Sequence, residues 1–240
     1  MEWGRAKTIL ILAFLGLNLV LGYQLWVVKK DVLGTQLHSP EVTQQTEALL
    51  EAKSVTVLGD IPQQTPKAGE ITVRFSDQED QLGDAMLRLP VEERVLMEQM
   101  EQDLIKHVQG MDQYERDAVM DEEGILMYNQ LFEGLPMFEV NLKLYKENDE
   151  IYGYAQQYVE VLPGDSEKNQ TVLSAYTALQ LLAENYLVPG TVVEDIRLGY
   201  HGKIYNSDTQ VMAPKWRFTL EDGTIYYLHA INGEVEEVAR

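Results

Sequence analysis

Residues 8–28, TILILAFLGLNLVLGYQLWVV, contain no charged side chain, and this run of 21 residues constrains the chain more than any other feature. As a helix rising about 1.5 Å per residue it is roughly 31 Å long, which matches the ~30 Å hydrocarbon core of a bilayer. Trp3 precedes the run, and Tyr23 and Trp26 stand at its far end, where amphipathic rings favour the membrane interface. A helix in a globular core is rarely apolar on every face. The competing reading is a cleaved signal peptide, which needs a shorter apolar run and a small-x-small site; Val20-Leu21-Gly22 is a weak candidate for one. The run reads as an uncleaved transmembrane helix over 8–28, between a cytoplasmic tail at 1–7 and a juxtamembrane linker at 29–38.

Arg5 and Lys7 face Lys29 and Lys30 across the span, so the basic residues by themselves orient it weakly. Size decides: seven residues cannot form a domain and some 210 can. The expectation is therefore a cytoplasmic N-terminus and a large extracellular C-terminal region, in a single-pass protein of the cell membrane. The whole chain holds 19 basic and 39 acidic residues; setting aside Arg5, Lys7, Lys29, Lys30 and Glu2 leaves 15 against 38, about −23 for the exterior. Such a charge argues against nucleic acid as a partner and favours solubility. With no cysteine, disulfides, thiol nucleophiles, thiolate-held metals and a lipidated cysteine are excluded.

The opening stretch also carries a resemblance. Met1-Glu2-Trp3, Arg5, Lys7-Thr8-Ile9, Phe14-Leu15, Leu17-Asn18 and Tyr23-Gln24 resemble the start of the YycI (WalI) family. That resemblance implies a membrane-anchored regulatory protein with no catalytic motif, no cofactor and no metal. It would act with a sister protein, YycH, and with the sensor histidine kinase WalK of the WalK/WalR (YycG/YycF) two-component system, which governs cell-wall metabolism.

The exterior has its own pattern. Ser39-Pro40-Glu41 supplies a cap residue, a proline suited to a first helical position and an early acid, which predicts a short helix to about Ala52. Val55 to Leu58 and Ile71 to Phe75 read as strands around a Gly- and Pro-containing loop. Pro90 with Glu92 and Glu93 opens a predicted second helix, ending near Gly110, with Met97, Met100, Leu104 and Val108 on one face as core. Residues 125–161 alternate as antiparallel strands about the turn Lys146-Glu147-Asn148-Asp149. Val172, Tyr176, Leu179, Ala183 and Tyr186 then recur at helical spacing up to Pro189-Gly190. Strands follow near 192–200, 211–220 and 224–231, with Glu221-Asp222-Gly223 as the last hairpin turn.

Two stretches look like copies. Pro136, Phe138, Val140 and Leu142 match the spacing of Pro214, Trp216, Phe218 and Leu220. Ile151-Tyr152 and Ile225-Tyr226 follow, and Val159-Glu160 and Val235-Glu236 close each copy. The implied fold class is α+β, with a first helix-plus-antiparallel-sheet lobe at 39–162 and a second at 163–240. Trp216-Arg217-Phe218, Asp222-Gly223 and Ala230 to Val235 make the second lobe resemble a PepSY-type module.

Catalytic constellations are not legible. His38, His107, His201 and His229 stand in no His-Glu-x-x-His pattern, Asp121, Glu122 and Glu123 are merely adjacent, and Leu82 occupies the glycine position a calcium loop over 77–84 would need. His201 and His229 read as ordinary strand residues. The candidate interaction residues lie in the span: Ile11, Leu15, Asn18, Gly22 and Leu25 share one helical face, where an amide can hydrogen-bond to a neighbouring helix and a glycine lets it approach. Two functions remain open: a regulator acting on WalK with YycH through transmembrane and exterior contacts, or an anchored inhibitor or chaperone of exported peptidases, suggested by the PepSY resemblance.

Overall fold

The computed structural model describes residues 7, 11–21, 23, 40–64, 66–75, 86–163, 169–202 and 209–239. Residues 11–21 are helical, with their apolar side chains exposed. Among the described residues no helix is long and apolar enough to cross a membrane. The ends of the expected span, residues 8–10, 22 and 24–28, lie outside the described residues, as does the linker at 29–38.

The region beyond residue 39 starts with helix α1 (Pro40–Lys53), which has proline in its first turn and closes on Lys53. The Lys53 ammonium reaches over to the carbonyls of Ala183, Glu184 and Leu187. Short strands β1 (Thr56–Val57) and β2 (Lys67–Ala68) precede β3 (Ile71–Phe75), then β4 (Leu87–Arg88) and β5 (Val95–Leu96). Helix α2 (Met100–Leu104) and strand β6 (Tyr114–Arg116) lead into the antiparallel run β7 (Ile125–Phe132), β8 (Leu135–Glu147), β9 (Glu150–Gln156) and β10 (Val159–Val161). After β11 (Gln170–Thr171) comes α3 (Ala175–Asn185), capped by the Ser174 hydroxyl, which accepts from the Thr177 N–H at 3.1 Å. Strands β12 (Val192–His201), β13 (Thr209–Leu220), β14 (Thr224–His229) and β15 (Val235–Ala239) complete the chain.

Turn chemistry accounts for the hairpins. Glu133 and Gly134 between β7 and β8, and Asn148 and Asp149 between β8 and β9, all have positive φ, as two-residue hairpin loops require.

The helix predicted from Pro90 toward Gly110 is corrected by the structure. Residues 91–93 and 97–99 form single 3-10 turns, and only Met100–Leu104 is α-helical. Val95 and Leu96 pair instead with Ile151 and Glu150, and the Met97 N–H donates to the Asp149 carbonyl at 3.2 Å. The open edge of β9 competes for the same backbone groups as the helix and wins, because helical spacing alone adds little without a continuous face to bury. The side-chain expectation survives: Leu104 and Val108 are buried against Leu126, Leu142, Leu144 and Ile151, with Met97 and Met100 packed beside them.

The architecture is α+β, with few helices on a branched sheet of 13 strands whose spine runs β10-β3-β13-β12-β8-β7-β6. Two strands hold it together. β13 pairs with β14 through residues 215–219 and with β3 through residues 209–212; β8 pairs with β7 and β9 and also touches β12 in parallel at Met137 and Tyr200. Their lengths, 12 and 13 residues, reflect this double duty. Helices α1 and α3 cover one face of β12–β14, burying Leu50, Leu179, Leu182, Trp216, Phe218 and Leu228. Val55 and Ala68 belong to that core too, and β1 pairs in parallel with β12, so packing runs across residue 162 and joins the start of the region beyond residue 39 to its end.

The apparent repeat is not a structural one. Trp216 faces α3 in the main core, whereas Phe138 lies in a separate small cluster with Ile225 and Tyr227. Leu220 ends its strand at the turn, while β8 continues five residues past Leu142. Alternating apolar residues are common to most half-buried strands, so matching motifs arose without matching environments.

Candidate functional site

Alternation along β12–β14 puts Ile196, Leu198, Trp216, Phe218 and Leu228 against the helices and sends Asp195, Arg197, His201, Lys215, Arg217 and Tyr227 to the other face. In an antiparallel sheet that second face would ordinarily meet water. Here the segment from β6 to residue 120 and the start of β8 lie against it, enclosing a layer of charge.

At the centre Arg217 is 1% exposed and makes a bidentate pair with Asp117, also 1% exposed: Nη1 to Oδ2 at 2.5 Å and Nη2 to Oδ1 at 3.0 Å. Arg217 Nη2 also reaches Asp195 at 3.3 Å, and the Asn129 amide donates to Asp117 at 3.4 Å. Burial opposes the guanidinium charge, but the hydrogen bonds and charge of Asp117 outweigh it and hold Arg217 above its ordinary range. The guanidinium lies 4.6 Å from the centre of the Phe138 ring. Arg197 pairs with Glu115 on β6 and lies 3.9 Å from Asp117.

A second group adjoins the first. The His201 ring stacks on Tyr227 with centroids 3.8 Å apart and planes 10° from parallel. Its Nδ1 is hydrogen-bonded to Glu139 and its Nε2 is 3.7 Å from Glu236, whose carboxylate also takes the Lys215 ammonium at 3.0 Å. Burial, reinforced by Glu139, pushes the Tyr227 phenol well above its usual range, so it stays neutral. Lys215 and Glu236, with His229, Glu234 and Val235, also line a hollow of about 330 Å³. Burial and then Lys215 push His229 below the ordinary histidine range, and its Nδ1 accepts the Ile231 N–H at 3.2 Å.

Close approach at one glycine seats the start of β8 here. A Cβ on Gly199 would collide with the Pro136 carbonyl and come within 2.6 Å of the Phe138 ring. Gly199→Ala is expected to destabilise the α+β region by about 1–3 kcal/mol, since backbone cannot move aside as a flexible side chain can. Thermal unfolding measures this, and an unchanged midpoint would mean that β8 does not bear on β12 there.

Chemically the layer binds its own charges to one another and joins β6–β8 to β12–β15. Among the described residues no group of three or more His, Asp or Glu could hold a metal ion. Sequence reasoning did not single out Asp117, Glu139, Arg197 or Arg217 as a site and treated His201 as an ordinary strand residue; a charged residue at every second strand position reads as a solvated face. Of the span residues, Ile11, Leu15 and Asn18 lie on an exposed helical face, four and three residues apart. Gly22 and Leu25 fall outside the described residues.

Comparison with known proteins adds a family. The family model described as YycI protein matches residues 90–231, more than half of the chain, and takes in most of this charged layer. No curated protein matches the chain. Among solved structures the chain is similar to an uncharacterized protein from Eubacterium rectale ATCC 33656, at 9% identity and a TM-score of 0.37, covering 85% of this chain and 84% of that one.

Proposed function

We propose, because the chain belongs to the YycI family, that it is a non-enzymatic, membrane-anchored regulator of the WalK sensor histidine kinase, acting together with a YycH-type sister protein. The family match carries this reading, since that family is a regulatory one associated with two-component signalling. In it, residues 8–28 cross the cell membrane once, the N-terminus is cytoplasmic and the α+β region is outside. The exterior supplies contacts to YycH, and the span supplies contacts to the membrane helices of the kinase complex. A contact regulator needs differential affinity for two kinase states rather than chemistry of its own. Crosslinking in native membranes, followed by identification of what is captured, tests the partners: recovery of the kinase and sister protein supports the reading, and recovery of an exported peptidase in their place supports an inhibitor or chaperone.

The span makes a separate prediction. Asn18 is exposed on its helix, and an amide facing lipid gains about 1–2 kcal/mol by bonding to another helix in model peptides. Asn18→Leu combined with Gly22→Leu should weaken association with partner helices by roughly fivefold to thirtyfold and alter kinase output, with export and folding of the exterior intact. Replacing residues 8–28 with an unrelated apolar helix should do the same; unchanged kinase output after that exchange would reduce the span to a tether.

A further inference from the structure

We propose that the outer edge of β15, with the hollow beside it, is a docking site for an extended basic segment of another polypeptide, which adds to the sheet as one more strand. Among the described residues β15 pairs with β14 alone, so its far side ends this branch of the sheet. The ladder fixes which groups face outward. The His229 N–H donates to the Glu234 carbonyl at 2.7 Å, which makes these two a hydrogen-bonded pair, and bonded pairs alternate along an antiparallel ladder. Tyr227 with Glu236 and Ile225 with Val238 are therefore the next bonded pairs, and the N–H and C=O groups of Val235, Glu237 and Ala239 point away from β14. Such a row is a template for another strand.

What the edge accepts follows from its charge. Glu236 and Glu237 lie in the strand, and Glu234 precedes it; the hollow of about 330 Å³ is lined by Lys215, His229, Glu234, Val235 and Glu236. Lys215 is the cation among these residues, and it takes Glu236 at 3.0 Å. His229 adds no charge at neutral pH, since burial and Lys215 hold it below its ordinary range, and the Glu70 carboxylate also acts on it. Glu234, Glu236 and Glu237 against Lys215 leave the edge net negative, which attracts lysine or arginine and repels an acidic strand. The same charge works against a second copy of this chain: in an antiparallel pair centred on Glu237, each Glu237 would face its own copy. Side chains of an added strand alternate between its faces, so every second one projects on the face that carries Glu236 and Lys215, where the hollow lies. Main-chain hydrogen bonds supply attachment, and basic side chains over the hollow supply selection. The site goes beyond the regulatory reading and depends on the identity of neither the kinase nor the sister protein.

The test uses the full-length protein in phosphatidylcholine nanodiscs at about 0.15 M salt, where exposed charges are screened beyond about 8 Å. The probe is a short capped peptide alternating lysine with threonine. Two control peptides accompany it: one with glutamate for lysine, and one with proline for threonine, which keeps the charge but removes main-chain donors. At about ten times its dissociation constant the lysine–threonine peptide should slow hydrogen exchange at the Val235 and Glu237 amides about tenfold. The Glu236 and Val238 amides, already bonded to β14, should change far less. Glu237→Pro removes an outward N–H and no bond to β14, so it should weaken binding at least about tenfold, whereas Glu237→Gln keeps the N–H and should weaken it less than about fivefold. Several results would each overturn the site: no binding, binding that leaves the Val235 and Glu237 amides unchanged, equal binding of either control peptide, or protection that grows with protein concentration in the absence of peptide, which would mean self-pairing. The exchange measurement is made on the native chain, so it decides even if the proline variant folds poorly.

Discussion

Asp117→Ala is expected to destabilise the α+β region by about 3–5 kcal/mol, the largest effect of any single charge removal, because it strands a buried cation. Among the described residues Arg217 would keep only Asp195, whose side chain is 27% exposed, as a charge partner, and its Nε has no hydrogen-bond partner among them. Asn129 would lose its acceptor as well. Trp216 is the sole tryptophan beyond the N-terminal stretch and is fully buried one residue from Arg217, so its fluorescence in a urea titration of residues 39–240 reports the loss directly. Pairing the change with Arg217→Met should recover a substantial part of the loss, since an apolar pair can replace a buried ion pair at little net expense. A cost below about 1 kcal/mol for Asp117→Ala would mean that water reaches the pair.

Trp216→Ala should cost a similar amount, about 3–5 kcal/mol, for a different reason. Its ring is 0% exposed in the core beneath α3, and its indole N–H donates to the Leu173 carbonyl at 2.9 Å. Truncation empties the site and leaves that carbonyl without its donor. Surrounding helix packing limits collapse, because Leu179, Leu182 and Ala183 are already fully buried. Phe138→Ala should fall at the lower end, about 3 kcal/mol. Its cluster is small, with Ile225, Tyr227 and Met120, although the contact with the Arg217 guanidinium is lost too. Far-UV circular dichroism through thermal or urea unfolding measures both without relying on the deleted fluorophore. Should Phe138→Ala prove the more damaging change, the seam and not the helix-backed core would dominate stability.

Local and periodic features were legible without coordinates because they depend on neighbouring residues. Pro40 and Lys53 bracket a helix. Asn148-Asp149 and Gly223 supply the positive φ angles that their hairpins need. Leu179 and Ala183 recur at helical spacing, and the Met97 to Val108 stripe belongs to a core even though the backbone carrying it is mostly not helical. The uncharged run at 8–28 and the acidic balance of the chain beyond it are properties of composition and order alone.

What covers each face was decided only in three dimensions. The open edge of β9 broke the helix predicted from Pro90 to near Gly110 by offering other partners for its backbone. Leu50, Val55 and Ala68 joined the core of α3 and β13 from more than a hundred residues away. Asp117 and Arg217 are 100 residues apart in the chain, yet share two hydrogen bonds. Alternation says that Arg217 and His201 point opposite to Trp216 and Leu198, and goes no further. Whether that face meets water or another part of the chain depends on how β8 and β13 bend between neighbouring sheets. Bending of this kind is set by the summed packing of the whole domain, which no window of sequence contains.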